Sequence, residues 1–139
     1  MPRPTSFRLP EELLDRLEQE AAVAGVSVTA LVTSLLDEGL RARRFPGVVY
    51  RDGPTGRRAG LLGGPDVWEI VRDLRLATGK GERKVQRLAE TVGLPPERIR
   101  LAVNFYAAYP DEIDERIELD ERMATRVREL TDRRERLIS

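Results

Sequence analysis

Thr5-Ser6-Phe7-Arg8-Leu9-Pro10-Glu11-Glu12-Leu13-Leu14 carries the first structural signal of the chain, and its reading decides the fold of everything up to Arg44. Over Thr5–Leu9 the residues alternate: Phe7 and Leu9 fall on one face and Ser6 and Arg8 on the other, the pattern of a short β-strand. Pro10 then starts a helix, because its fixed φ suits a first turn and Glu11 and Glu12 complement the helix dipole. Leu9 and Leu14 are spaced as a hydrophobic staple across that start. Leu13, Leu14, Leu17 and Ala21 continue an apolar stripe, Gly25 ends it, and Ser27 is placed to cap a second helix. Val28, Leu31, Leu35, Leu36 and Leu40 give that second helix its apolar face.

A five-residue strand cannot stand alone, since its backbone groups are unpaired and even a hairpin is marginal in water. Two short amphipathic helices have equally little to pack against. Both problems are solved if two chains pair their strands antiparallel and interleave their helices. The predicted dimer core is then Phe7, Leu9, Leu13, Leu17, Leu31 and Leu35. Ser6 and Arg8 of both chains project from the opposite face of the ribbon. A two-stranded ribbon fits the major groove of B-DNA, where Arg binds guanine bidentately and Ser contacts several bases. The start of the second helix, at Ser27, Val28 and Thr29, offers N–H groups and a positive dipole end to a phosphate.

The run Thr5 to Leu17, followed by Gly25-Val26-Ser27-Val28-Thr29-Ala30-Leu31-Val32, resembles the ribbon-helix-helix regulators of the Arc/MetJ/CopG type. The resemblance covers about residues 4–41. It implies an obligate homodimer, operator DNA read by the strands, and autorepression. It assigns base reading to Ser6 and Arg8 and phosphate binding to Ser27 and Val28. Pro4 departs from the pattern, standing where another alternating reader belongs, which shortens the ribbon and leaves Arg3 as a flexible phosphate contact.

Pro46-Gly47 marks a boundary after the basic run at Arg41–Arg44. Beyond it, Val48–Arg51 and Arg57–Leu61 read as a β-hairpin around a five-residue loop, Asp52–Gly56. Asp66 with Glu69 forms a capping box for a helix to about Ala77. Further helices are predicted at about Glu82–Val92 and Pro96–Tyr109. Trp68, Tyr50, Phe105, Tyr106 and Tyr109 read as core or interface residues. Gly56-Arg57-Arg58-Ala59-Gly60-Leu61-Leu62-Gly63-Gly64-Pro65-Asp66-Val67-Trp68, with Leu88-Ala89-Glu90, Gly93 to Ile99 and Ala102-Val103-Asn104-Phe105-Tyr106, resembles the helix-turn-helix-like antitoxin domain encoded beside PIN-like ribonuclease toxins. That family carries a proline after the first glycine and a Gly-Thr later; here neither is present. The resemblance implies a PIN-like toxin as partner. On physical grounds Arg83, Lys84, Arg87, Arg98 and Arg100 form either a second phosphate-binding face or a solvated basic one.

The tail from Asp111 is rich in mixed charge, with Ile113, Ile117, Met123, Val127, Leu130 and Leu137 as a sparse apolar stripe. It reads as a helix that meets a partner or as a frayed end. The expected architecture is therefore mainly α: a ribbon-helix-helix domain at 1–44, a β-hairpin plus small helical module at 45–110, and a charged helix at 111–139.

The chain has no cysteine, so no disulfide framework or thiolate metal site is possible, and no histidine, the commonest general base and metal ligand. The glycine-rich stretches are not followed by the Gly-Lys-Ser/Thr of a phosphate loop. A non-enzymatic protein with no cofactor and no metal is expected. No apolar run is long enough to span a bilayer and the N-terminus lacks a signal-peptide core, which predicts a cytoplasmic, nucleoid-associated location with no membrane partner. Net charge is zero, with a basic middle and an acidic tail, and decides nothing about nucleic acid. Two functions follow from the residues: a sequence-specific repressor, identified by the resemblances with the antitoxin of a toxin–antitoxin pair, or an oligomerisation module whose ribbon dimerises without reading DNA.

Overall fold

A computed structural model describes residues 1–139, which divide into two compact units, Met1–Arg44 and Phe45–Ser139. The architecture is mainly α, with six helices and one two-stranded antiparallel sheet.

The first unit is a helical hairpin. Helix α1 spans Glu11–Ala24 and α2 spans Val28–Arg44. Pro10 sits just outside α1, and its carbonyl accepts hydrogen bonds from the Leu13 and Leu14 amides at 3.1 and 3.0 Å. At the other end Gly25 takes the left-handed conformation (φ 68°), which a β-carbon disfavours. The Val26 amide then reaches back to the Ala21 carbonyl at 3.0 Å, closing a Schellman motif that turns the chain. Ser27 restarts the helix, its Oγ accepting the Ala30 N–H at 3.0 Å. Both predicted punctuation marks are therefore where the residues placed them.

The predicted strand at Thr5–Leu9 is absent from the single chain; residues 1–10 form no regular element and are exposed. The reason is the one that made the strand conspicuous: it has no partner within the chain, and the two strands that do form pair with each other.

The second unit begins with that hairpin. β1 (Val48–Arg51) and β2 (Arg58–Leu61) pair in the register Val48 with Leu61, Val49 with Gly60, Tyr50 with Ala59 and Arg51 with Arg58. The second strand starts one residue later than expected. Helices α3 (Val67–Leu76), α4 (Gly81–Val92), α5 (Pro96–Ala108) and α6 (Pro110–Ile138) follow. The hairpin, α4, α5 and α6 gather around α3, whose Val67, Trp68, Ile70 and Val71 are all buried. Phe105, Leu61, Ile70, Ile99, Val48 and Val67 are its innermost side chains. Phe105 also anchors an aromatic cluster, with ring centroids 5.4 Å from Phe45 and 5.0 Å from Tyr109.

Helix α6 is continuous to Ile138, and its first turns belong to this core through Ile113 and Ile117. Past Ile117 no residue of α6 is buried. Ile117→Ala should lower the stability of the 45–139 unit by about 2–4 kcal/mol, the cost of truncating a buried aliphatic side chain. Urea unfolding followed by Trp68 fluorescence would measure it.

Candidate nucleic-acid interface

The first unit has almost no interior. Of the apolar stripe on α1 only Leu17 and Ala21 are buried, and α2 buries nothing. Among the six residues predicted for a dimer core, Leu17 is buried and Leu31 half-buried. Phe7, Leu9, Leu13 and Leu35 remain exposed, Phe7 by 76%. Leu14, Leu36 and Leu40 add to the same uncovered surface. Burial of a single such side chain is worth roughly 1.5–3 kcal/mol, so this surface represents a large unsatisfied driving force for association.

Arg3, Ser6 and Arg8 are exposed on the irregular N-terminal segment. Ser27 and Thr29 are exposed at the head of α2, and Val28 is half-buried beside them. The Ser27 hydroxyl is already occupied by capping, so an anion there would meet backbone N–H groups of the first turn, which lack intrahelical acceptors. Arg41, Arg43 and Arg44 lie at the opposite end of α2, where they complement its dipole, and Arg41 pairs with Asp37 at 3.2 Å.

In the second unit many cations are committed to the fold. Arg98 donates to the Leu62 carbonyl, and Arg100 forms a two-pronged pair with Glu82 at 3.1 and 2.5 Å. Those two of the five residues read as either a phosphate-binding or a solvated basic face thus bond to partners on the surface of the same unit. Arg83, Lys84 and Arg87 stay on the α4 surface, where Arg87 reaches Thr78 at 3.4 Å.

The sequence reading missed the polar knot at Asp66. Its carboxylate is buried and accepts from Arg51 Nη2 at 2.6 Å, from Arg58 Nε, and from the Trp68 indole N–H at 3.2 Å. The capping box is also in place, Glu69 accepting the Asp66 N–H at 2.8 Å. Burial alone would raise the Asp66 pKa; the guanidiniums of Arg51 and Arg58 outweigh it and hold the carboxyl below the ordinary carboxylate value. Gly60 lets this happen, since a β-carbon there would come within 2.0 Å of Arg51 Nη2. One signal was available: Arg51 and Arg58 are directly opposite in the hairpin, a repulsive pair unless an anion sits between them.

A second polar tie joins three helices. Arg75 donates to Tyr106 Oη at 2.9 Å and to Asp114 at 2.5 Å, and the Tyr106 hydroxyl donates to Asp114 at 3.0 Å. No group of three or more His, Cys, Asp or Glu side chains is placed so that it could hold a metal ion, and no single helix is long and apolar enough to cross a membrane.

Residues 7–44 match the family described as "CopG-like RHH_1 or ribbon-helix-helix domain, RHH_5". That family is one of non-enzymatic regulatory modules that dimerise and bind DNA. No curated protein and no solved structure matches the chain.

Because the Asp66 pKa is depressed in the folded state, its contribution is complete above the unfolded value near 3.9 and is lost as pH falls through the lower folded value. Asp66→Asn should cost about 2–3 kcal/mol at neutral pH, less than for a fully buried ion pair because both arginines are partly exposed. Unfolding measured from pH 7 to pH 2 should also show a shallower acid loss in the variant than in the parent.

Proposed function

We propose that this chain is a homodimeric, sequence-specific transcriptional regulator that represses by reading operator DNA through its N-terminal segment. The observation that carries the reading is the conjunction, within 7–44, of a ribbon-helix-helix match with an apolar helix face left uncovered in the single chain. A second copy covers that face. It also supplies the missing strand, so that Thr5–Leu9 of the two chains pair and Phe7 and Leu9 turn inward. Ser6 and Arg8 then face the major groove, with Arg8 as the main base reader. Arg3 and the α2 head at Ser27, Val28 and Thr29 hold backbone phosphates and fix the ribbon in register.

The finer role is that of the antitoxin and autorepressor in a toxin–antitoxin pair. Residues 1–44 are the DNA-binding domain, 45–110 the antitoxin-type module and 111–139 the charged helix. Support for this comes from the sequence resemblance over Gly56–Tyr106, and its partner would be a PIN-like ribonuclease toxin. Such a regulator works on the nucleoid, in the cytoplasm.

Arg8→Ala separates reading from mere dimerisation. Loss of one bidentate base contact per chain should weaken binding to the gene's own promoter by about 10- to 100-fold per contact. The mass of the dimer in solution should stay the same. Equal binding by parent and variant would remove Arg8 from the readout and leave a ribbon that only dimerises.

A further inference from the structure

Beyond Ile117, α6 carries exposed apolar residues in a regular order: Met123 (47% exposed), Val127 (62%), Leu130 (52%) and Leu137 (86%). Their spacing of four, three and seven is a heptad seam. Met123, Leu130 and Leu137 occupy one of its two core positions; Asp120, Val127 and Arg134 occupy the other. The body of the second unit does not cover this seam, because the last α6 residue in its core is Ile117.

The two charges within the seam select its partner. If two copies of α6 ran parallel and in register, Asp120 would meet Asp120 and Arg134 would meet Arg134 in the core, twice placing like charges together. If they run antiparallel, each position of one type faces the other type. Val127 then packs against Leu130 of the second copy, Met123 against the Arg134 stem, and Leu137 against Asp120. Asp120 and Arg134 of opposite copies come to lie in adjacent layers, about 4.5 Å apart along the axis. The balance of charge along the stretch agrees with this pairing. Residues 118–122 carry three acids and one base, Glu118, Asp120 and Glu121 with Arg122, while residues 132–136 carry three bases and two acids, Arg133, Arg134 and Arg136 with Asp132 and Glu135. Antiparallel pairing sets the acidic end of one copy against the basic tip of the other, and the opposed helix dipoles add to it.

We propose that the distal half of α6 pairs antiparallel with the same segment of a second copy of this chain, centred between Arg128 and Glu129. The pairing stands on α6 alone and does not depend on DNA reading by the first unit.

The chain contains no cysteine, so single introduced cysteines label cleanly in the full-length protein. Spin labels at Glu121→Cys, Glu129→Cys and Arg136→Cys, each in a separate chain, report the geometry by pulsed dipolar distance measurement. Antiparallel pairing gives a shortest distance at 129 and adds about 22 Å of axial offset at both 121 and 136. Equal short distances at all three positions would mean parallel pairing and overturn the proposal. Broad distributions without a maximum would mean that the purified chain leaves the seam to a different protein, and would overturn it equally. A Val127→Glu and Leu130→Glu double variant should abolish the short distance at 129. Both residues are exposed in the single chain, so its helical circular dichroism over the body should persist.

Discussion

The first 44 residues cannot bury their own apolar surface, and the rest of the structure's meaning depends on that shortfall. Leu17 and Ala21 are the whole interior of a unit that also carries Phe7, Leu9, Leu13, Leu14, Leu35, Leu36 and Leu40. A hairpin of two helices offers one line of contact, and residues on the far side of each helix have nothing to face. The chain nevertheless shapes these helices with care: a Schellman turn at Gly25, a serine cap at Ser27, acidic residues at the start of α1 and basic ones at the end of α2. Local structure that is well specified, joined to a face that is left open, is what a half-interface looks like.

The second unit obeys the opposite logic. It has a complete core built on α3, and several of its polar groups tie one element to another, with Asp66 the buried one. Asp66 neutralises two hairpin arginines and receives the Trp68 indole N–H, which fixes the hairpin against the start of α3. Arg75, Tyr106 and Asp114 close the far side by linking α3, α5 and α6. A buried carboxylate between two cations is weak as a source of net stability but effective at selecting one arrangement. Removing Asp66 costs more than the knot itself contributes, because two guanidiniums are then left without their anion.

How much of this was legible in the residues follows from the range of each interaction. Helix ends were, because Gly25, Ser27 and Asp66 act on their own neighbours. The hairpin was, because its turn is local, although β2 begins at Arg58 and not at Arg57. The Asp66 knot was not: its members are spread from Arg51 to Trp68, and Asp66 already had a sufficient local role as a cap. The partners of Arg98 and Arg100 were hidden for the same reason, since the Leu62 carbonyl and Glu82 are distant in sequence. Thr5–Leu9 failed in another way. Its alternation asks for a strand partner, and the single chain has none to offer.

This changes how the charge of the chain should be weighed. A net charge of zero looks unfavourable for a nucleic-acid partner, yet the sum mixes cations of different standing. Arg51 and Arg58 are bonded to the buried carboxylate of Asp66, so they contribute to the count while being committed to the fold, and Arg75 and Arg100 are paired with carboxylates at the surface. Arg8 is exposed on the N-terminal segment, which forms no regular element in the single chain. In the proposed dimer it would be presented twice, on one face, at a spacing set by the paired strands. Recognition by such a ribbon depends on where two guanidiniums stand relative to each other, and a chain-wide sum carries no information about that.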